Sequence, residues 1–232
     1  MIESDRRPHG ARRALIAGAS GLVGGEVLRR LLSGANHPQV HALVRRPLAG
    51  PGLDAAAAAG RLVQHTVDFA TLARWRDFPP VDDVFVCLGT TLRAAGSHAA
   101  FRRVDFDAVV AVARIARRHG ATRLAVVSAL GADPGSRVFY NRVKGEAESE
   151  LARLDYPSLI VLRPSLLDGP RTETRPGERA ALLLSRPFAR LIPARLRPVP
   201  ASAVARCMVD AMRDPQPGLR IIESDRIQAH AG

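Results

Sequence analysis

Leu15-Ile16-Ala17-Gly18-Ala19-Ser20-Gly21-Leu22-Val23-Gly24-Gly25 decides the fold. A short apolar run beginning at Arg12 ends in three glycines spaced three apart. Val23, Val27, Leu28, Leu31 and Leu32 then recur at helical spacing as far as Ser33-Gly34. The order is strand, tight turn, helix. Glycine tolerates positive φ and lets another group approach its backbone closely. A helix start offers free N–H groups and a positive dipole end, which suits a phosphate. The spacing here is G-x-x-G-x-x-G rather than G-x-G-x-x-G. A glycine turn also serves as a plain connection with no ligand, so the rest of the chain has to decide.

Working outward, the pattern alternates. Val40–Val44, Leu62–Val67, Val84–Leu88, Leu124–Ser128 and Ser158–Leu162 read as further strands. Pro47–Gly60 reads as a loop with a turn of helix, His98–His119 as one long helix and Val138–Leu154 as another. Several strands are continuous apolar runs, as expected of strands covered on both faces. The expectation is an α/β fold, a doubly wound parallel sheet. After Arg163-Pro164 proline and arginine rise, with helical patches near Glu178–Ile192 and Ala201–Met212 and a short strand at Leu219–Ile222. We expect a flexible tail over 1–11 and one domain over 12–232, with about 164–232 forming a small C-terminal substrate lobe.

Composition narrows the class. The chain has 232 residues, 47% hydrophobic and 24% charged, enough apolar material for a core. Cys87 and Cys207 are its only cysteines, which excludes a disulfide scaffold. No apolar run reaches the roughly 18 residues of a membrane span. Met1–Arg13 is polar and basic, unlike a secretory signal. These features predict a cytoplasmic protein with no integral membrane segment. The net charge is +12, but its arginines are scattered, as at Arg114, Arg117 and Arg118, and no basic patch is interleaved with aromatics. That favours a solvated surface over a nucleic-acid partner. Leu182-Leu183-Leu184 followed by Arg186, Arg190, Arg195 and Arg197 is apolar then basic, but Pro187, Pro193 and Pro198 favour a lobe or lid over a membrane-surface helix. The seven histidines show no metal spacing, so no metal is expected. Trp75 and Phe78 read as packing under a loop, and Cys87 as a small core residue.

Two constellations carry chemistry. The first is Arg45-Arg46, directly after the second strand, in a stretch (36–52) without an acidic residue. A free ribose 2′-hydroxyl wants a carboxylate there and a 2′-phosphate wants arginine, so NADP(H) is favoured over NAD(H). Asp68 either accepts from the adenine amino group or caps the turn before Leu72. The second is Tyr140-Asn141-Arg142-Val143-Lys144. Residues four apart share a helix face, and an ammonium beside a phenol favours the phenolate. Such a phenol can act as a general acid/base. Lys144 is the only lysine among 34 basic residues, which makes its position informative. Ser128, at the end of the fifth strand, can hold a substrate oxygen for Tyr140.

Gly18 to Gly24, Ser128 and Tyr140-x-x-x-Lys144 together resemble the atypical group of short-chain dehydrogenases/reductases. Cys87-Leu88-Gly89-Thr90-Thr91, Val104-Asp105, Gly131-Ala132-Asp133, Lys144-Gly145-Glu146, Leu162-Arg163-Pro164 and Arg175-Pro176-Gly177-Glu178 resemble, within it, the Tat-interactive-protein-like NAD(P)-binding family. The resemblance implies a Rossmann-type sheet binding NADP(H). Gly18, Ser20, Gly21, Leu22, Val23 and Gly24 would face the pyrophosphate, Arg45 and Arg46 the 2′-phosphate, and Asp68 with Phe69 the adenine. Leu88, Gly89 and Thr90 would line the nicotinamide ribose, with Pro164 and Ser165 near the carboxamide. Tyr140 would be the acid/base, Lys144 would hold the ribose and tune Tyr140, and Ser128 would orient the substrate. The main group adds a helix asparagine. Asn36 and Asn141, the only two here, lie off the long helix, so either a water or Thr90 takes its proton-relay role or turnover is slow. The function implied is oxidoreduction of a carbonyl or alcohol on an unidentified small molecule. A cofactor-sensing binding protein and an NAD-dependent sugar-nucleotide epimerase remain as alternatives, and a homodimer or a protein partner stays open.

Overall fold

The computed structural model describes residues 12–168 and 193–231. Its main sheet is built from β1 (Arg13–Ala17), β2 (Gln39–Val44), β3 (Leu62–Thr66), β4 (Asp83–Val86), β5 (Arg123–Val127), β6 (Ser158–Arg163) and β9 (Gly218–Glu223). They lie in the order β3-β2-β1-β4-β5-β6-β9, and every neighbouring pair is parallel. β7 (Leu167–Asp168) and β8 (Val199–Pro200) form a separate short pair. The helices are α1 (Leu22–Ser33), α2 (Pro51–Ala58), α3 (Leu92–Ala95), α4 (His98–Arg102), α5 (Val109–Arg118), α6 (Phe139–Ala152), α7 (Ala201–Arg213) and α8 (Ser224–Gln228). This is the Rossmann-type doubly wound sheet expected from the sequence.

The strands sort their side chains by parity, as a pleated strand must. Ala14 and Ile16 of β1 join one core with Val27 and Leu31 of α1 and with Val204, Met208 and Met212 of α7. Leu15 and Ala17 join the other, with Val112, Ala113 and Ala116 of α5 and Leu151 of α6. Both faces are therefore dry, and each fully buried Leu, Ile or Met contributes roughly 1.5–3 kcal/mol.

Three details differ from the sequence reading. Pro51–Ala58 is two turns of helix, entered through Gly50 with proline in the first turn. The long helix is interrupted: Arg103–Ala108 winds as a π-helix between α4 and α5. β9 pairs with β6 along its whole length, and α7 covers the same face as α1, so residues 201–223 complete the main layers. The tail 1–11, the patch 178–192 and the Leu182–Arg190 stretch lie outside the described residues.

The strand N-termini are closed by charge. Asp83 is fully buried at the start of β4. It accepts from His37 Nε2 (2.8 Å), Arg12 Nε (3.0 Å) and the guanidinium of Arg123. Burial alone would raise this carboxyl, but the His37 and Arg123 hydrogen bonds and the Arg123 and Arg12 charges outweigh it and hold it below its usual 3.8. On β2, His41 is 7% exposed and shares a 2.9 Å contact, Nδ1 to Nε2, with His65. Burial first, then the charges of His65 and Arg13, lower His41 from 6.5 to about 4. Burial lowers His65 as well.

A histidine depressed in the folded state contributes stability above its unfolded value, and that stability is lost as pH falls towards the folded value. Asp83 starts to lose its contribution only below its unfolded 3.8. Between pH 6.5 and 4 the histidines therefore dominate. We expect urea denaturation at pH 4.5 to show a stability about 2–3 kcal/mol below that at pH 7 from His41. His41→Gln should lose much less over the same interval. Equal losses in the two proteins would refute the assignment.

Candidate active site

The glycine turn is built by steric necessity. Gly18 has φ +92°, and a Cβ there would sit 2.5 Å from the Cys87 carbonyl oxygen. A Cβ on Gly24 would lie 2.0 Å from the Gly18 carbonyl oxygen. The turn thus presses against the end of β4, and α1 against the turn. Gly21, whose N–H donates to Gly18 O at 3.0 Å, is the N-cap of α1, so no side chain caps the helix, and its first turn holds no acid. Ser20 and Gly21 are exposed, Leu22 half-buried, and Val23 and Gly24 buried. The first-turn N–H groups face the C-terminal edge of the sheet without an acceptor from the helix itself.

Arg45 and Arg46 follow β2, exposed, with no acidic partner among the described residues. Asp68 is exposed after β3, and its Oδ1 accepts from Ala70 N–H at 2.9 Å, so the turn-capping role is visible. Phe69 packs on the α5-side core.

Lys144 is the centre of the site. It is 5% exposed, and its Nζ lies 2.8 Å from Oδ1 of Asp105, whose side chain is fully buried in the π-helical segment. The other oxygen of Asp105 accepts the Thr90 N–H at 2.9 Å. Gly89 lies over this pair: a Cβ there would be 3.4 Å from Asp105 Oδ1 and 3.7 Å from Lys144 Nζ. Tyr140, one turn before Lys144, is half-buried and packs its ring on Phe101 of α4 at 5.4 Å. The only other tyrosine, Tyr156, is buried. It donates to the Ala113 carbonyl at 2.6 Å, and burial pushes its phenol up. Cys87 is no nucleophile, since desolvation raises its thiol to about 12.

Ser128 lines one small cavity with Asp105, Lys144 and Glu148, so the structure brings it to Lys144. Its hydroxyl, however, donates to Glu148. Glu148 also receives Arg163 (2.6 and 3.1 Å), which reaches Glu223 at 3.1 Å. Pro164 O accepts from Leu130 N–H at 2.8 Å, and Ser165 donates to the Arg197 carbonyl. The loop before α6 sits against Gly145, where a Cβ would be 2.3 Å from the Asp133 carbonyl carbon.

Sequence reasoning gave Asp105, Glu148 and Gly145 no role of their own. Asp105 had a signal: the buried helix stripe of Val109, Val112, Ala113 and Ala116 extends back onto it. An acid on a core stripe requires a partner.

A sequence profile for a family described as NAD(P)H-binding matches residues 18–215. Protein HTATIP2 of Rattus norvegicus is 33% identical over 225 residues, covering 95% of this chain and 89% of that protein. "Protein FMP52, mitochondrial" of Coccidioides immitis (strain RS) is 34% identical over 171 residues, 69% of this chain and 68% of that protein. The FMP52 protein of Saccharomyces cerevisiae is 34% identical over 161 residues, covering 69% and 68%. That these relatives bear mitochondrial names overturns the cytoplasmic expectation. Among solved structures, MoeE5 in complex with UDP-glucose and NAD superposes with a TM-score of 0.66 at 17% identity, covering 93% of this chain and 79% of that one. UDP-glucose 4-epimerase from Thermotoga maritima gives 0.65 at 15%, covering 94% and 80%. Those two share the fold. Fold, glycine turn and relatives agree, and the chain belongs to the NAD(P)H-binding family, among the atypical short-chain dehydrogenases/reductases of the Tat-interactive-protein type.

Proposed function

We propose that this protein is an NADP(H)-dependent oxidoreductase that interconverts a carbonyl and an alcohol on a small molecule. The observation that carries the reading is the Lys144 ammonium, paired with Asp105 under Gly89 and one helical turn from Tyr140. A dinucleotide is supported at two places: Gly18 and Gly24 let the turn close tightly on its own backbone ahead of α1, and Gly89 carries no side chain to cover the ion pair. The uncapped start of α1 suits the pyrophosphate, and Gly18, Ser20, Gly21, Leu22, Val23 and Gly24 are the residues assigned to it. Arg45 and Arg46 are assigned to the 2′-phosphate, Asp68 and Phe69 to the adenine, and Leu88, Gly89, Thr90, Pro164 and Ser165 to the nicotinamide half. The substrate lobe is assigned to the part of the segment after Arg163 that precedes α7, since residues 201–223 belong to the main layers.

The bound nicotinamide supplies or accepts the hydride at the substrate carbon. The chain's part is positional and protonic. Tyr140 Oη gives a proton to the substrate oxygen in reduction and takes it back in oxidation. An ammonium has three donors, so Lys144, ion-paired with Asp105, can still donate to ribose hydroxyls. Ser128 can donate to a substrate oxygen only by leaving Glu148. That engagement favours a second reading, a cofactor-dependent binding protein with little turnover. A panel of aldehydes and ketones separates the two, because a sensor binds NADPH and reduces none of them.

Tyr140→Phe should bind NADPH within about twofold of wild type and lose roughly 10²–10⁴-fold in kcat/KM. Retained turnover would remove the assigned acid/base. Arg45→Ala/Arg46→Ala should weaken NADPH by about 10–100-fold in a fluorescence titration and leave NADH unchanged, the loss expected for charge-assisted bonds to one phosphate. Equal effects on both dinucleotides would overturn the NADP(H) preference.

A further inference from the structure

We propose that Asp105 is a positioning residue of this site: it fixes the Lys144 ammonium and the Thr90 backbone as one unit that receives the nicotinamide half of the cofactor. This inference rests on the proposed function and deepens it. Four observations carry it.

The pair is fully enclosed, with Lys144 and Asp105 side chains 6% and 0% exposed. Apolar replacement of such a pair is often neutral or stabilising, so stability alone does not account for it. The carboxylate comes from the π-helical turn Arg103–Ala108, and single π-turns inside α-helices recur at functional sites. The same carboxylate holds the Thr90 N–H, and so sets the backbone just after Gly89. Lastly, Lys144 is the one lysine in a chain that uses arginine everywhere else. A guanidinium presents a planar fork, whereas an ammonium is a compact charge whose three donors can serve a carboxylate and two hydroxyls at once. Thr90 thus contributes its backbone N–H to the same unit.

The test compares two ligands by calorimetry: NADPH, and adenosine 2′,5′-bisphosphate, which lacks the nicotinamide half. Asp105→Asn keeps the shape and an acceptor for Thr90 but removes the charge. It should weaken NADPH by about tenfold or more and leave the bisphosphate within about twofold. An ammonium stranded without its carboxylate can compromise folding, so the double variant Asp105→Asn/Lys144→Met tests the idea independently. It should match Lys144→Met alone, because both changes disable one unit. Unchanged NADPH affinity in Asp105→Asn, a parallel loss of both ligands, or a double variant whose loss is the product of the single losses would each overturn the inference. Wild-type protein that binds neither ligand would overturn the proposed function, and this inference with it.

Discussion

A carboxylate taken out of water costs several kcal/mol unless it is paired and hydrogen-bonded, and this chain buries one beyond each end of its central strand. Asp83 lies at the start of β4, held by Arg12, His37 and Arg123. Asp105 reaches the residues just after β4, held by Lys144 and the Thr90 N–H. The first pairing ties together the starts of β1, β4 and β5 and the approach to β2. The second ties the π-helical turn to α6 and to the outlet of β4. One end of the sheet is closed by charge satisfied within the protein. The other holds the Lys144 ammonium beside Gly89.

Everything assigned to the cofactor stands at that second end. Parallel strands bring all their C-termini to one edge, so Gly18, Arg45, Asp68 and Gly89 share it despite wide sequence separation. What distinguishes the side assigned to the nicotinamide is the number of elements clamped around α6. Gly145 admits the 131–136 loop, Glu146 pairs with Arg102 of α4, and Glu148 receives both Ser128 and Arg163. Tyr140 and Lys144 are thereby set relative to β4, β5 and β6 within the protein itself, and such positioning is what the proposed chemistry would call on.

The sheet was legible because its signals are local and periodic. Continuous apolar runs mark strands buried on both faces, and three- and four-residue spacing marks α1 and α5. The glycine turn was legible from its spacing, although the neighbour that requires Gly18 is Cys87, far along the chain. What the sequence did not disclose depends on long-range pairing. The π-helical turn leaves helical periodicity nearly intact, so His98–His119 reads as one helix although its middle is wound differently. The partner of Asp105 is 39 positions away, and that of Ser128 is 20. β9 reads as a short closing strand, because Leu219 and Ile221 are exposed on the sheet edge and only its alignment with β6 shows its full length.

Strand order also governs how this chain must be made. β1, near the middle of the sheet, has no β4 beside it until some seventy residues later in the chain, and the apolar face of α1 waits for α7. A ribosome that has delivered β1 to β4 has therefore delivered α1 without the Val204, Met208 and Met212 of α7 that complete the core around Val27 and Leu31. Contacts so distant along the chain close slowly. Residues 201–223, made after every other strand of the main sheet, complete the cover over α1 and the far edge of the sheet.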